Sequence, residues 1–236
     1  MYLRFLYNTD RPLARRKVGD TYRGTLLRDF ETMKKHNSTL KTRNTKLQTQ
    51  SSNCYILFYK PYAVLSQFSP EHNKETLKDY LSLPNDIYPV GRLDYDSEGL
   101  LLLTNDNEIK NRLTDPKFDH PKTYLAQVER IPNEESLKKL RDGLVIEGVK
   151  TKPAEAELLL EDPNFSARST PIRFRKNVPT AWIKIVLREG RNRQVRKMTA
   201  AIGHPTLRLV RITIGNIGIE ELKPGEWKDI ALHEIK

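Results

Sequence analysis

One segment of the chain, Gly91-Arg92-Leu93-Asp94-Tyr95-Asp96-Ser97-Glu98-Gly99, leads directly into Leu100-Leu101-Leu102-Leu103-Thr104-Asn105-Asp106. It places an arginine and a carboxylate two residues apart, between a glycine and a run of four leucines. A continuous apolar run of this length is typical of a strand that is buried on both faces. The sequence therefore predicts a loop with charged side chains at the edge of an apolar core, and such loops often carry function.

The acidic residues of this segment allow three interpretations. Asp94, Asp96 and Glu98 imitate the start of a calcium-binding loop, but the twelfth position of that loop requires a bidentate Glu and is Asn105 here. Asp94 and Asp96 would share one face of an extended segment as a glycosidase pair, but only Tyr95 is available to stack on a sugar. The third interpretation uses Asp94 alone, as a single carboxylate that a nearby cation keeps charged and oriented.

A candidate for that cation lies about a hundred residues later, in residues 188–197, where five of the ten residues are Arg or Lys. A helix that begins near Asn192 would place three cations on one face, namely Arg193, Arg196 and Lys197. Such a face is either simply solvated or directed at an anion. In the second case, the first-turn amides and the guanidiniums would bind a phosphate backbone.

The remaining patterns predict an α+β fold with antiparallel pairing, because strands come in groups with few helices between them. The predicted strands are residues 55–59, 100–104, 123–129, 181–187 and 207–214. One predicted helix spans residues 134–142, with Asn133 as its N-cap and Gly143 as its end. A second spans residues 191–202 and ends at Gly203.

Composition excludes several classes of protein. The single cysteine, Cys54, excludes an intramolecular disulfide and a cysteine-based metal cage, and it favours a reducing cytoplasm. No run approaches the roughly 18 apolar residues that a membrane span requires, so no membrane partner is expected. The five histidines are scattered without ligand spacing, and no metal site is predicted.

The net charge of +11 is unevenly distributed along the chain. Residues 1–53 contain 12 Lys and Arg against 4 Asp and Glu, whereas the rest contains 29 against 26. We expect residues 1–53 to form a basic, disordered arm, which either binds a polyanion or is merely solvated. Residues 54–236 form the second predicted domain, and Met33, which begins the most polar part of the arm, is an alternative start of the protein.

Four linked motifs of the chain resemble those of the pseudouridine synthases, in the branch that includes the small-subunit uridine enzyme. They are residues 91–106, Lys122-Thr123-Tyr124, residues 189–198, and Leu209-Val210-Arg211 with Gly225-Glu226-Trp227. Three further stretches, residues 58–62, 171–173 and 179–182, resemble the subgroup that acts on the large ribosomal subunit. That subgroup lacks the N-terminal S4-type domain of most relatives, and residues 1–53 lack its signature too.

This resemblance implies the pseudouridine synthase fold for residues 54–236, with a mixed, largely antiparallel sheet, flanking helices and a central RNA-binding cleft. It implies that the chain isomerises a specific uridine of 23S ribosomal RNA to pseudouridine, on a flipped nucleotide and without a cofactor or a metal. Asp94 would be the catalytic carboxylate, with Arg196 as its ion-pair partner. Tyr124 would stack on the uracil and act as the general base that removes the proton from C5.

The resemblance also implies the substrate contacts. Arg92 would fill the space left by the flipped base or bind its phosphate, and Leu209 would form an apolar wall against the base. The other expected substrate-binding residues are Lys122, Arg191, Arg193, Gln194 and Lys197. Asp96 and Glu98 would only support the turn.

Several alternatives stay open at this point. Asp94 would attack C1′, add to C6 or remove the 2′ proton. The segment around Arg168, Arg173, Arg175 and Lys176, with Phe165 and Phe174, is either an RNA contact or an ordinary surface insertion. The expected partner is ribosomal RNA, free or in a large-subunit precursor, bound by a cytoplasmic monomer. The competing functions are a catalytically inactive RNA-binding or ribosome-assembly protein on the same fold, and a synthase that acts on another RNA.

Overall fold

The computed structural model describes residues 53–172, 175–219 and 221–235. Apart from Asn53, the predicted basic arm and the alternative start at Met33 lie outside the described residues. All the described residues belong to one unit of the chain, Gln50–Lys236. In these ranges, no helix is both long and apolar enough to cross a lipid bilayer.

The described residues form thirteen strands, three α-helices and three short 3₁₀ helices. The strands are β1 (Tyr55–Lys60), β2 (Val64–Leu65), β3 (Glu75–Thr76), β4 (Tyr88–Pro89), β5 (Glu98–Thr104), β6 (Lys122–Glu129), β7 (Val145–Ile146), β8 (Val149–Lys150), β9 (Glu155–Leu158), β10 (Thr180–Leu187), β11 (Thr206–Ile214), β12 (Ile217–Gly218) and β13 (Trp227–Asp229). The α-helices are α1 (Asn107–Thr114), α2 (Glu134–Asp142) and α3 (Gln194–Ala201). The 3₁₀ helices are Leu77–Asp79, Pro116–Phe118 and Leu232–Ile235.

Nine strands form one mixed sheet, whose main path runs β13-β1-β5-β11-β6-β10-β9. β4 pairs with β5 and β12 pairs with β11 beside this path. Within the described residues, β5 and β11 are the parallel pair of this sheet, and its other pairings are antiparallel. One parallel contact therefore joins two antiparallel halves. The predicted α+β class with a largely antiparallel sheet is confirmed.

The four leucines of β5 show why this strand is central. Leu100 and Leu102 belong to one apolar cluster, whereas Leu101 and Leu103 belong to another. Successive side chains of a strand point to opposite faces, so β5 contributes to the core on both sides of the sheet. A third cluster lies under the other half of the sheet, around Val128, Ile183 and Met198.

The predicted bounds are correct for α2 but not for the start of α3. Asn133 caps α2 by accepting a hydrogen bond from the Ser136 amide at 2.9 Å, and Gly143 ends this helix as predicted. α3 begins only at Gln194, because Arg193 adopts a left-handed backbone with φ of 51°. The prediction of a start near Asn192 is therefore wrong by about half a turn.

Gly99 allows β5 and β11 to approach each other closely. Its φ is +105°, and a Cβ atom at this position would lie 2.3 Å from the Arg211 carbonyl oxygen. Real Cβ atoms do not come so close to backbone, so a side chain would force the two strands apart. Gly99 is therefore required both for its backbone conformation and for the lack of a side chain.

We expect Gly99→Ala to lower the free energy of unfolding by about 2–5 kcal/mol, since backbone strain and a steric clash add together. Urea denaturation of the wild-type and variant proteins measures this loss. Gly190→Ala is the matched control, because a Cβ atom there meets no atom within 4 Å. Its effect should stay within about 0.5 kcal/mol, and an equally small effect of Gly99→Ala would contradict the close approach.

Candidate active site

A cleft of about 620 Å³ opens at the junction of the two halves of the sheet. Its walls come from the turn before β5, from β6 and β11, and from the loop that leads into α3. Eight of the ten predicted site residues line it: Arg92, Asp94, Lys122, Tyr124, Arg191, Arg193, Gln194 and Leu209. The other two, Arg196 and Lys197, are not among the described residues that line the cleft.

The backbone around Asp94 is held on both sides. The buried Ser66 hydroxyl accepts a hydrogen bond from the Leu93 amide at 3.1 Å and donates one to the Leu93 carbonyl at 2.8 Å. The Ser97 amide donates to the Asp94 carbonyl at 3.0 Å and closes a turn that leads into β5. Because of these contacts, Asp94 has a fixed backbone position while its side chain stays partly exposed. No sequence pattern indicated this role of Ser66.

The arginines of α3 contact Asp96 more closely than Asp94. Arg193 donates two hydrogen bonds to the Asp96 carboxylate, at 2.9 and 2.8 Å, and its Nη1 atom lies 3.6 Å from Asp94 Oδ2. Arg196 donates to the Asp96 carbonyl at 2.7 Å, and its Nε atom lies 3.4 Å from the Asp96 carboxylate. The predicted ion pair of Arg196 with Asp94 is therefore corrected: Arg193 is the cation beside Asp94, and Arg196 contacts Asp96.

These contacts set the charge state of Asp96. Burial of the Asp96 carboxyl opposes ionisation, but the hydrogen bonds from Arg193 and the charges of both arginines outweigh it and hold its pKa below the ordinary value. Burial lowers the pKa of Arg196, whereas the contact with Asp96 raises the pKa of Arg193. Two guanidiniums against these carboxylates also exclude the calcium-loop interpretation.

Arg191 and Lys197 both contact the β7–β8 hairpin. Arg191 donates to the carbonyl oxygens of Ile146 and Val149, at 3.0 and 3.2 Å, and so ties α3 to the β7–β8 hairpin. Lys197 pairs with Glu147 at the tip of this hairpin, at 2.8 Å. Both cations therefore already have protein partners. Their predicted role in binding substrate stays a prediction.

Gln194 and Lys122 complete the polar lining. The buried Gln194 side chain accepts a hydrogen bond from the Arg191 amide at 3.0 Å and donates one to Glu189, which fixes the loop before α3. Lys122 is half-buried at the start of β6, and burial and the charge of Arg211 lower its pKa. Gln194 therefore shapes the cleft, whereas Lys122 adds a positive charge to it.

Tyr124 and Leu209 are the predicted site residues that contribute to the apolar surface of the cleft. Tyr124 is half-buried on β6 and its Cα pairs in register with that of Arg211 on the neighbouring strand β11. Leu209 lies on β11 and is buried. Both side chains line the same cleft as Asp94, as the resemblance implies.

Arg211 is a buried cation to which the sequence assigned no role. Its Nε atom donates to the Leu100 carbonyl at 2.9 Å, and its Nη2 atom has no hydrogen-bond partner among the described residues. The only sequence signal was its place in the motif Leu209-Val210-Arg211. Because Arg211 lines the cleft, it adds positive charge at the base of the site.

Glu98 does more than support the turn. It lies buried in β5 and accepts two hydrogen bonds from Arg208 of β11, at 2.9 and 2.7 Å. Arg208 is also buried and donates to the Ser166 carbonyl at 3.0 Å. This ion pair links β5, β11 and the segment before β10 immediately behind the Asp94 turn.

Lys60, at the end of β1, is a further buried charge near the turn. Its Nζ atom donates to the carbonyl oxygens of Pro61 and Val64, at 2.9 and 2.7 Å. Burial lowers the pKa of Lys60 from 10.5 to about 7, against the attraction of the nearby carboxylates of Glu98, Asp96 and Asp94. The sequence offered no sign of this shift.

The cations of the segment before β10 contact other protein groups. The Arg168 guanidinium lies 4.1 Å from the centre of the Tyr62 ring, and Arg175 pairs with Glu129 at 2.8 Å. Arg173 and Phe174 lie outside the described residues. Whether this segment contacts RNA stays a prediction.

The comparisons with known proteins agree with this geometry. The profile of the family described as RNA pseudouridylate synthase matches residues 54–201. The chain belongs to this family. A ribosomal large subunit pseudouridine synthase E of Vibrio parahaemolyticus is 50% identical over 177 residues, which are 75% of this chain and 74% of the relative.

Two further members of the family are similar. A protein of the same name from Xanthomonas axonopodis pv. citri is 51% identical over 171 residues, which are 72% of this chain and 90% of the relative. A crystal structure of pseudouridylate synthase superposes with a TM-score of 0.65 and 28% identity, over 78% of this chain and 72% of that one. The predicted family, fold and subgroup are confirmed.

Because Glu98 and Arg208 form a buried ion pair, we expect a single variant to lose more stability than the double variant that removes both charges. We expect Glu98→Gln to lower the free energy of unfolding by about 3–5 kcal/mol, because it leaves the Arg208 charge buried without its counter-ion. The double variant Glu98→Leu/Arg208→Met should recover most of this loss, since it removes both charges.

Urea denaturation of these variants checks the expectation. Glu157→Gln, which removes the partner of exposed Lys184, is the control and should cost less than about 1 kcal/mol. A loss as small as this for Glu98→Gln would show that the buried pair does not stabilise the turn.

Lys60 predicts a pH dependence of stability. The folded protein releases the Lys60 proton near pH 7, whereas the unfolded chain holds it until about pH 10.5. Between these values the unfolded state binds more protons, so the contribution of Lys60 to the free energy of unfolding rises with pH. Relative to Lys60→Met, the wild-type protein should gain stability from pH 7 towards pH 10 and show no such gain below pH 7.

Denaturation curves across this pH range measure the difference between the two proteins. Lys184→Met, which removes an exposed lysine, should follow the pH course of the wild-type protein. A difference between wild type and Lys60→Met that is independent of pH would contradict the shifted pKa.

Proposed function

We propose that this chain converts a specific uridine of 23S ribosomal RNA into pseudouridine, with Asp94 as the working carboxylate. Its membership of the pseudouridine synthase family and its similarity to large-subunit synthases over most of its length support the substrate. The observation that carries the proposal is the position of Asp94 in a cleft of about 620 Å³ that an aromatic side chain, Tyr124, and an aliphatic one, Leu209, also line.

The cleft suits a single nucleotide that has left its stack. Enzymes that act on a base inside RNA take it out of the stack and hold it in a pocket of their own. Tyr124 offers a ring for stacking on the uracil, and Leu209 offers an apolar wall. Arg92 lies exposed at the edge of the cleft, where a guanidinium binds a phosphate of the strand.

The reaction is an isomerisation in which no atom is gained or lost overall. The bond from N1 of the uracil to C1′ breaks, the detached base turns, and a bond from C5 to C1′ forms. C5 then loses its proton, and N1 is protonated. Asp94 assists the first step, by attack at C1′, addition to C6 or removal of the 2′ proton. Tyr124 accepts the C5 proton as general base.

The surroundings of Asp94 suit this role. About a third of its side-chain surface is exposed, so the carboxylate is accessible from the cleft. A guanidinium at 3.6 Å supports the negative charge without covering both oxygens. The residues of the cleft supply all the groups named here, and the proposal requires no cofactor or metal.

The partner and setting are part of the same proposal. The excess of positive charge favours a polyanion such as ribosomal RNA, free or in a large-subunit precursor. We place the protein in the cytoplasm, where ribosomes assemble, as a monomer with residues 54–236 as its catalytic domain. Residues 1–53 would be a basic arm that adds unspecific affinity for RNA.

Asp94→Asn tests the proposal in vitro. The wild-type protein should release tritium from a 23S transcript that carries [5-³H]uridine, and the variant should lose at least about 1,000-fold in rate. RNA binding should stay within about three-fold, because the substitution removes a charge and leaves the shape of the cleft unchanged.

Asp142→Asn is the control for this variant. It removes an exposed carboxylate that pairs with Lys138 on α2, and it should leave tritium release unchanged. RNA binding without tritium release by the wild-type protein would favour the inactive RNA-binding alternative. An equal loss of binding and release in Asp94→Asn would assign Asp94 a structural role.

A further inference from the structure

Asp96 is the main acceptor for the two arginines of the cleft. Its carboxylate accepts two hydrogen bonds from Arg193, at 2.9 and 2.8 Å, and its carbonyl oxygen accepts one from Arg196 at 2.7 Å. Asp94, two residues earlier, has one longer contact, at 3.6 Å from Arg193. The two carboxylates therefore share one guanidinium unequally.

The unequal sharing follows from geometry. A guanidinium that makes two parallel hydrogen bonds to one carboxylate is fixed in direction and distance. Nη1 of Arg193 donates to Asp96 and is also the atom nearest to Asp94. Because this atom is hydrogen-bonded to Asp96, Arg193 places a positive charge beside Asp94 but does not make two hydrogen bonds to the Asp94 carboxylate.

Both partners of this contact are themselves held in place. Arg193 is the residue before the first turn of α3, and its left-handed backbone joins the preceding loop to this helix. Arg196 ties the Asp96 backbone to α3 and donates a second hydrogen bond to the Thr206 carbonyl at 3.3 Å. Only 12% of the Arg196 side chain is exposed, so this tie lies inside the protein.

We propose that Asp96 is a positioning residue for the isomerisation: it takes the two-pronged contact of Arg193 and thereby leaves the oxygens of Asp94 open to the flipped nucleotide. This inference rests on the proposed function of the cleft. It replaces the expectation that Asp96 merely supports the turn. Without the carboxylate of Asp96, Arg193 would be free to close on Asp94, and the working group would be covered by an ion pair.

Asp96→Asn tests this role by single-turnover and steady-state tritium release from the 23S transcript. We expect kcat to fall by about 10-fold or more, since misplacement of a catalytic group by about 1 Å has effects of this order. KM, the Kd for RNA and the melting temperature should stay near their wild-type values. A residue that only supports the turn would lower the melting temperature and affect KM together with kcat.

A double variant shows whether Asp96 acts through Arg193. Once Arg193→Gln has removed the guanidinium, Asp96 has nothing left to hold, so Asp96→Asn/Arg193→Gln should be no slower than Arg193→Gln alone. Effects of the two substitutions that multiply would overturn the inference. Asp142→Asn, on α2, is the matched control and should leave kcat unchanged.

Arg193→Lys tests the same role of Asp96 if Asp96→Asn does not fold. Lysine keeps the charge at an exposed position but makes no two-pronged contact, so this variant should also lose about 10-fold in kcat at an unchanged Kd for RNA. A kcat equal to that of the wild-type protein in Asp96→Asn or in Arg193→Lys would overturn this inference and leave the proposed function intact. Absence of tritium release by the wild-type protein would overturn the proposed function, and this inference with it.

Discussion

The geometry of the cleft depends on the close approach of β5 and β11 at Gly99. This parallel contact joins the two antiparallel halves of the sheet, and a side chain at Gly99 would collide with the backbone of Arg211. The Asp94 turn leads directly into β5 on one side of the contact, while Leu209 and Arg211 lie in β11 on the other. The Asp94 carboxylate and the wall of the cleft therefore come together because two strands from different halves of the chain lie unusually close.

The second constraint is electrostatic, because many charges lie at or behind the same turn. The two carboxylates beside Asp94 in the sequence are both paired: buried Glu98 pairs with Arg208, and partly exposed Asp96 pairs with Arg193. Burial lowers the pKa of Lys60 to about 7, which reduces the positive charge behind the turn near neutral pH. Asp94 is left as a partly exposed carboxylate in a cleft with several cations. Such a cleft attracts a phosphate backbone, and its Asp94 carboxylate is not covered by a close ion pair.

The sequence predicted the local features well and the long-range pairs poorly. The leucine run of β5 and the caps of α2 have direct local signals, and the eight predicted residues that line the cleft lie within the motifs that carry the family resemblance. The pair of Glu98 and Arg208 spans 110 residues, and no local pattern reports on such a contact. The position of Arg193, and not Arg196, beside Asp94 could not be predicted either, because no local pattern reports the left-handed residue at the start of α3. α1 was missed although Asp106 caps it, because only two of its eight residues, Ile109 and Leu113, are buried.

We propose that Asp94, in this cleft, isomerises one uridine of the large-subunit RNA. Mapping of pseudouridine in 23S RNA tests it most directly, in cells that lack the gene and carry either the wild-type gene or Asp94→Asn in its place. We expect one pseudouridine to be missing without the gene, to return with the wild-type protein and to stay absent with the variant. A map that is the same with and without the gene, or a modification restored by Asp94→Asn, would contradict it.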